Sequence, residues 1–216
     1  MRVVTLPGVF RPRSDSWLLA AHLRAQLWPG ASVLDVCTGS GAIAIAGAQA
    51  SGGPTTAIDV SRRSVLTVRL NARLNGVRVR ALRGDLFGPV TGERFDAIVS
   101  NPPYLPAEDD DLPAGGPQRA WDAGTDGRVL LDRICAEAPA HLNPGGFLLL
   151  VHSSVCGLEP TVGALERAGL AVGVLERRRG ALGPLLSARA PLLEARGILA
   201  PGEREEDMLI VKAAVS

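Results

Sequence analysis

The chain has 216 residues, 46% hydrophobic and 4% aromatic, with a formal net charge of +1 at pH 7. That length and aliphatic content suit one domain with a substantial core, and so small a charge excludes a general electrostatic hold on nucleic acid. No secretory h-region and no apolar run of membrane-spanning length is read, and Cys37, Cys135 and Cys156 stand apart without metal-ligand spacing or a disulfide framework, so a cytoplasmic protein with no metal and no membrane partner is expected.

In chain order, a first helix is expected after Ser14 and Asp15, where Trp17, Leu18, Leu19, His22, Leu23 and Leu27 make a helical stripe. Ala31 to Asp35 reads as a short buried strand, Val36-Cys37-Thr38-Gly39-Ser40-Gly41 as a glycine turn, and Ala42 to Ala50 as a helix. The glycines permit positive φ and let the backbone approach a ligand closely. Gly39-x-Gly41-x-x-Ala44 also satisfies the dinucleotide fingerprint, with Asp59 as its acidic residue, so a nicotinamide dehydrogenase is a rival reading here. Against it, Asp35 at the head of the loop suits the ammonium of an amino-acid ligand better than a pyrophosphate. Asp85, in Arg83-Gly84-Asp85-Leu86, offers a further strand-end carboxylate, placed to accept from an exocyclic amine.

Strands are predicted near 32–36, 55–59, 78–83, 95–100 and 146–152, and helices near 42–50, 61–75, 127–142 and 158–168. Ser61 is a good N-cap, Gly76 and Gly169 sit where C-terminal glycines belong, and Asn143-Pro144-Gly145-Gly146 is a turn into the fifth strand. Leu170 to Leu175 and Met208 to Val211 complete the sheet as a terminal pair. The alternation predicts an α/β fold, a mainly parallel sheet with helices on both faces. Residues 1–216 read as a single domain, with 1–30 a helical leader and 180–204 an insertion before the last strand. Within that insertion Leu182 to Leu199, interrupted by Pro184 and Pro191, reads as a broken amphipathic helix covering the sheet end. Arg177-Arg178-Arg179 reads as a solvated strand end, His22, His141 and His152 as structural residues, and Cys37 as a small residue tolerated beside the turn.

Asn101-Pro102-Pro103-Tyr104 closes the apolar run Phe95 to Val99, at a strand's carboxyl end, where open α/β sheets place their ligands. The prolines fix φ and remove two donors, which leaves carbonyl oxygens and the Asn101 amide oxygen as acceptors in a stiff loop. Tyr104 adds a flat apolar face. Such a site suits a planar NH2 group on an sp2 carbon: two acceptors grip its N–H bonds, the ring lies against its plane, and the nitrogen faces a methyl donor.

Asp35, Asp59 and Asp85 at successive strand ends, together with the Asn101 loop, resemble the class I S-adenosylmethionine-dependent methyltransferases. The resemblance implies a Rossmann-like, seven-stranded sheet with an antiparallel last strand, and S-adenosyl-L-methionine as cofactor with S-adenosyl-L-homocysteine as product. It implies that Asp35 and the turn Cys37, Thr38, Gly39, Ser40 and Gly41 hold the methionine part. Asp59 takes the ribose hydroxyls, Val60 packs on adenine, Asp85 with the Leu86 amide reads the adenine edge, and Asn101 borders the cofactor.

Within that class, Asn-Pro-Pro-Tyr belongs to enzymes of planar nitrogens: the HemK-like protein-(glutamine-N5) methyltransferases and the adenine-N6 or cytosine-N4 enzymes of nucleic acids. Phe10 to Leu19 looks like the leader of the first group, in which a hydroxyl residue, here Ser16, reaches the cofactor. Ala120-Trp121-Asp122-Ala123-Gly124-Thr125-Asp126-Gly127-Arg128 is similar to the stretch that borders its substrate pocket, which places Trp121 at the substrate with Asn101, Pro102, Pro103 and Tyr104. The resemblance spans residues 8 to 176 and is closest to short members without a separate recognition domain. Phe10, Arg11, Ser14 and Ala123 depart from its usual residues.

The catalytic residues implied are Asn101, Pro102 and Tyr104. The implied acceptor is a protein glutamine, as in a translation release factor, with a small partner subunit belonging to the same family resemblance. Glu108-Asp109-Asp110-Asp111 after the motif would repel a nucleic-acid backbone, while Arg11 and Arg13 argue the other way. Adenine or cytosine methylation, a small-molecule amine or amide acceptor, and a non-catalytic cofactor-binding scaffold stay open as alternatives.

Overall fold

The computed structural model describes residues 1–215. Its helices are α1 (Ser14–Gln26), α2 (Ala42–Ser51), α3 (Arg62–Leu74), α4 (Val129–Glu137), α5 (Leu158–Arg167) and α6 (Pro184–Ala195). Its strands are β1 (Val33–Val36), β2 (Thr55–Asp59), β3 (Arg80–Arg83), β4 (Phe95–Ser100), β5 (Leu142–Ser153), β6 (Leu170–Ala181) and β7 (Glu205–Val215). They form one sheet in the order β3-β2-β1-β4-β5-β7-β6. The first five strands pair in parallel, and β7 runs antiparallel between β5 and β6. This is the seven-stranded, mainly parallel α/β sheet expected.

Strand periodicity sorts the core into two layers. Leu34, Ile98, Leu148 and Leu150 face the helix side that carries Leu130, Ile134 and Leu165. Val33, Ala97, Val99, Leu149 and Val151 face Leu19 and Leu23 of α1 and Ile43 and Ala46 of α2. With both faces covered, the central strands read as unbroken apolar runs.

Several elements differ from the sequence reading. The fifth strand, expected near 146–152 after a turn at Asn143 to Gly146, already starts at Leu142, and those four residues make the register shift against β4. The helix expected over 127–142 ends at Glu137 and tightens into a 3-10 turn, Ala138–His141. Pro139 has no N–H for another α-helical bond. The last pair is longer than predicted: β6 carries its pairing through Arg177, Arg178 and Arg179 to Ala181. The helix between these strands is continuous through Pro191. Ser187, whose carbonyl loses its partner there, and Pro191 are both exposed, so water can take the bond.

The sheet order reverses between β1 and β4, where Val36 sits in register with Ser100. The crevice beyond their carboxyl ends is where an open α/β sheet binds its ligand.

Candidate active site

A cavity of about 870 Å³ fills that crevice. It is large for a single small-molecule site, for which ~300–1,000 Å³ is usual, and it has room for two reactants. Gly39, Asp59, Val60, Asp85 and Leu86 line one end, and Asn101, Pro102, Pro103, Tyr104 and Trp121 the other.

The glycine turn is built by positive-φ residues. Cys37 (φ 59°), Gly39 (φ 53°) and Gly41 (φ 80°) curl the chain over the start of α2. A Cβ on Gly41 would stand 3.0 Å from Val68 of α3, so this glycine permits close helix packing. Asp59 straps the turn to β2: one carboxylate oxygen accepts from Gly39 N at 2.9 Å, the other from Ser61 N at 2.8 Å. Burial raises its pKa and these N–H groups draw it back. Asn71 of α3 donates to the carbonyls of Ser40 (2.9 Å) and Val4 (2.8 Å), which ties the leader to the turn.

Asp35 lies beneath the turn. It is fully buried, with Oδ2 accepting from the Thr38 hydroxyl and from Ala44 N, while Oδ1 has no partner. Burial pushes its carboxyl up to about 7. Asp35, Thr38, Ser40 and Gly41 do not line the cavity, so their contribution is the shape of the turn that Cys37 and Gly39 present to it. Burial also raises the Cys37 thiol, which rules it out as a nucleophile. Asp85 is exposed and bound by Arg133 of α4 at 2.6 Å, a partner the sequence reading did not supply. Leu86, also at positive φ (41°), is buried beside it.

At the other end, the Asn101 amide donates to Asp15 Oδ2 at 3.1 Å and to Ser16 Oγ at 3.0 Å. The Tyr104 hydroxyl donates to the same Asp15 oxygen at 3.2 Å. Both N–H bonds of the amide are thereby spent, and Asn101 Oδ1 remains an acceptor with no partner among the described residues. Ser16 is buried and off the cavity wall, so in this structure its hydroxyl supports Asn101 and Asp15 rather than facing a ligand. Asp15 does line the cavity. Burial and the charge of Asp15 hold the Tyr104 phenol well above its usual range, so it stays protonated.

The motif's backbone is held from below. Tyr104 O accepts from Cys156 Sγ at 2.9 Å. Leu105 exchanges backbone bonds with Trp121 and Ala123 at 2.7 and 3.0 Å. A Cβ on Gly127 (φ 75°) would fall 2.3 Å from Tyr104 O, so only glycine fits. Arg189 of α6 reaches Pro106 O and Asp122, each at 2.7 Å, and Arg196 takes the carbonyls of Ala107, Glu108 and Thr125. The insertion is thus a clamp on the two loops of the acceptor end. Leu185, Leu186, Glu206 and Met208 complete that wall, together with Arg178 and Arg179, whose side chains are still mostly exposed, as a solvated strand end requires.

Residues 1–114 match the protein family described as the methyltransferase small domain. A putative protein N5-glutamine methyltransferase of Methanocaldococcus jannaschii is 36% identical over 171 residues, covering 79% of this chain and 85% of that relative. The chain belongs to the methyltransferase family. A release factor glutamine methyltransferase of Geobacter sulfurreducens is 35% identical over 172 residues, covering 77% of this methyltransferase and 60% of that relative. The fold matches the E. cuniculi Mtq2-Trm112 complex, responsible for methylating the termination factor eRF1, with a TM-score of 0.64, 22% identity and coverage of 97% and 99%. It also matches the T. thermophilus 16S rRNA N2 G1207 methyltransferase in complex with AdoMet and guanosine (TM-score 0.65, 23% identity, coverage 98% and 46%). S-adenosylmethionine, the AdoMet of that rRNA enzyme's complex, is the cofactor the sequence analysis leads one to expect here. The donor end fits such a cofactor: a carboxylate for a diol at Asp59, an exposed apolar side chain at Val60 and a positive-φ turn for close approach. Among the described residues no His/Cys/Asp/Glu group could hold a metal ion, and no helix is long and apolar enough to cross a membrane.

Proposed function

We propose that this methyltransferase transfers a methyl group to the side-chain amide nitrogen of a glutamine in a protein such as a translation release factor. The observation that carries the reading is the Asn101 amide, fixed through both N–H bonds by Asp15 and Ser16 so that its oxygen is left for the acceptor. The two curated relatives named above carry glutamine methyltransferase names.

When bound, the cofactor supplies a methyl group on a positively charged sulfur. Cys37 and Gly39 meet its methionine part, in a turn kept in shape by Asp35, Thr38, Ser40 and Gly41; Asp59 takes its ribose hydroxyls, and Val60, Asp85 and Leu86 its adenine, with Ser16 acting through Asn101. Asn101 Oδ1 and the Pro102 carbonyl take the two N–H bonds of the acceptor amide, and Pro103 stiffens the loop. These bonds draw electron density toward a nitrogen whose lone pair is otherwise delocalised, and they aim it at the methyl carbon. Tyr104 and Trp121 keep the amide plane aligned. Charge is dispersed in the transition state, which a dry pocket favours over the charged reactant.

The reading includes a single cytoplasmic domain over 1–216, with 1–30 as leader and 180–204 as acceptor-side insertion, and a small partner subunit of the kind in the E. cuniculi complex. One observation favours a nucleic-acid acceptor: Arg13, Arg119, Arg178 and Arg179 all face the cavity. Arg178 and Arg179 are, however, paired with Glu176 and Glu205, each at 2.7 Å. Incubation with labelled methyl donor and a Gly-Gly-Gln release factor, DNA or total RNA tests the two readings. Label in the release factor alone is expected, and label in nucleic acid alone would transfer the function to adenine or cytosine.

A further inference from the structure

β7 turns Glu206 and Met208 to the same side, into the cavity, while Asp207 between them pairs with Arg177 at 3.2 Å. Met208 Sδ lies 3.9 Å from the Tyr104 hydroxyl, so this stretch of β7 forms one wall with the acceptor motif. Glu206 Oε1 accepts from Gly183 N at 3.1 Å, at the start of α6. Its Oε2 is buried and has no partner. The arginines of the same wall do not supply one, since they are turned to Glu176 and Glu205. A carboxylate oxygen withdrawn from water without a donor is costly, and a donor arriving with a ligand removes that cost.

We propose that Glu206 Oε2 is a substrate-binding acceptor that takes a main-chain N–H of the peptide segment carrying the target glutamine. The inference rests on the glutamine reading above and adds the peptide backbone to what this cavity recognises. A main-chain N–H is the donor that a neutral peptide loop brings to this oxygen, and the pairing of Arg178 with Glu176 and of Arg179 with Glu205 leaves it without a competing cation on the same wall. The side chains of the neighbouring Gly183, Pro184, Leu185 and Leu186 carry no polar group, so Glu206 is the side chain of this stretch that can fix the register of the bound loop.

Glu206→Gln separates this role from a structural one. Its amide oxygen still accepts from Gly183 N and keeps α6 in place, while an NH2 now faces the cavity. With a Gly-Gly-Gln release factor as acceptor, KM for Glu206→Gln should rise about tenfold, the scale of one charge-assisted hydrogen bond, with kcat and S-adenosylhomocysteine affinity unchanged. Gly-Gly-Gln peptides in which an ester replaces, one at a time, each backbone N–H of the two glycines, the glutamine and the residue that follows give the second measurement. One of these esters should raise KM of the wild type about tenfold and have no such effect on Glu206→Gln. An unchanged KM in Glu206→Gln, or equal ester effects in both enzymes, overturns the contact while leaving the glutamine reading standing. Absence of methylation of the release factor by wild type removes that reading and the contact with it.

Discussion

Asp15 and Asn101, far apart in the chain, meet at 3.1 Å, and the same Asp15 oxygen also receives the Tyr104 hydroxyl at 3.2 Å. One carboxylate in the first turn of α1 therefore sets the orientation of both side chains that face the acceptor. Its position at a helix N-terminus favours the charge it must carry.

Asp15→Ala should lower kcat by roughly ten- to a hundredfold, since losing a charged hydrogen-bond partner costs ~1.5–3 kcal/mol. S-adenosylhomocysteine affinity should change little. Steady-state kinetics with calorimetry on the same preparation checks this, and a kcat equal to wild type would show that Asn101 keeps its orientation without Asp15.

Asn101→Ala should leave the fold intact and remove most turnover. Asn101→Asp should be nearly as inactive, because a carboxylate there would face Asp15 and would favour the charged reactant over the charge-dispersed transition state. Circular dichroism and single-turnover methylation are the measurements; wild-type rates in either variant would displace the proposed acceptor site.

Asp59→Asn should weaken S-adenosylhomocysteine binding by ~1.5–3 kcal/mol in titration calorimetry. Part of that loss is the turn itself, because the two carboxylate oxygens hold Gly39 N and Ser61 N. NAD should not bind to either form. Unchanged affinity in the variant would remove Asp59 from the donor end.

Gly127→Ala should destabilise the protein by ~1–3 kcal/mol, the usual cost of a strained backbone position, and reduce turnover as well. The added Cβ meets Tyr104 O at 2.3 Å, so the motif must shift. A denaturant midpoint and kcat both at wild-type values would contradict that packing.

Asp35 and His152 should show opposite acid responses. Burial lowers His152 from 6.5 to about 4, so the unfolded chain binds its proton first and stability falls as pH drops from 6.5 toward 4, by at most about 3 kcal/mol. Burial raises Asp35 from 3.8 to about 7, so the folded chain holds that proton more tightly and stability rises as pH drops from 7 toward 3.8. The two contributions oppose one another in the wild type. Urea midpoints between pH 7 and 4, compared with wild type, should fall more in Asp35→Asn and rise more in His152→Leu; the same slope in all three proteins would refute both assignments.

The glycine turn, Asp59 and Asp85 at strand ends and the loop Asn101 to Tyr104 are local patterns in the sequence, and residues of each line the cavity. Asp15 was readable only as a first-turn acid, because its partners come from a strand end far along the chain. Ser16 was assigned outward for the same reason, whereas its hydroxyl is spent on Asn101. Arg177 to Arg179 concealed the reach of β6, since Arg177 and Arg179 are matched by Asp207 and Glu205 across the strand pair, information that no single segment contains. The role of α6 was equally hidden, because Arg189 and Arg196 act on carbonyls, which have no signature in sequence.

The reversal of strand order between β1 and β4 divides the labour of the enzyme along its length. Donor-side groups come from the glycine turn through Leu86, and the family match ends at residue 114, just beyond Asn101 to Tyr104. Trp121, the clamp from α6, and Glu206 with Met208 all follow that point, and they shape what sits opposite the methyl group. Substitutions at Trp121, Glu206 and Met208 or in the α6 clamp are therefore expected to redirect the enzyme to a new acceptor while its affinity for the methyl donor is preserved, whereas Arg133, which also follows residue 114, is tied to the donor end through Asp85.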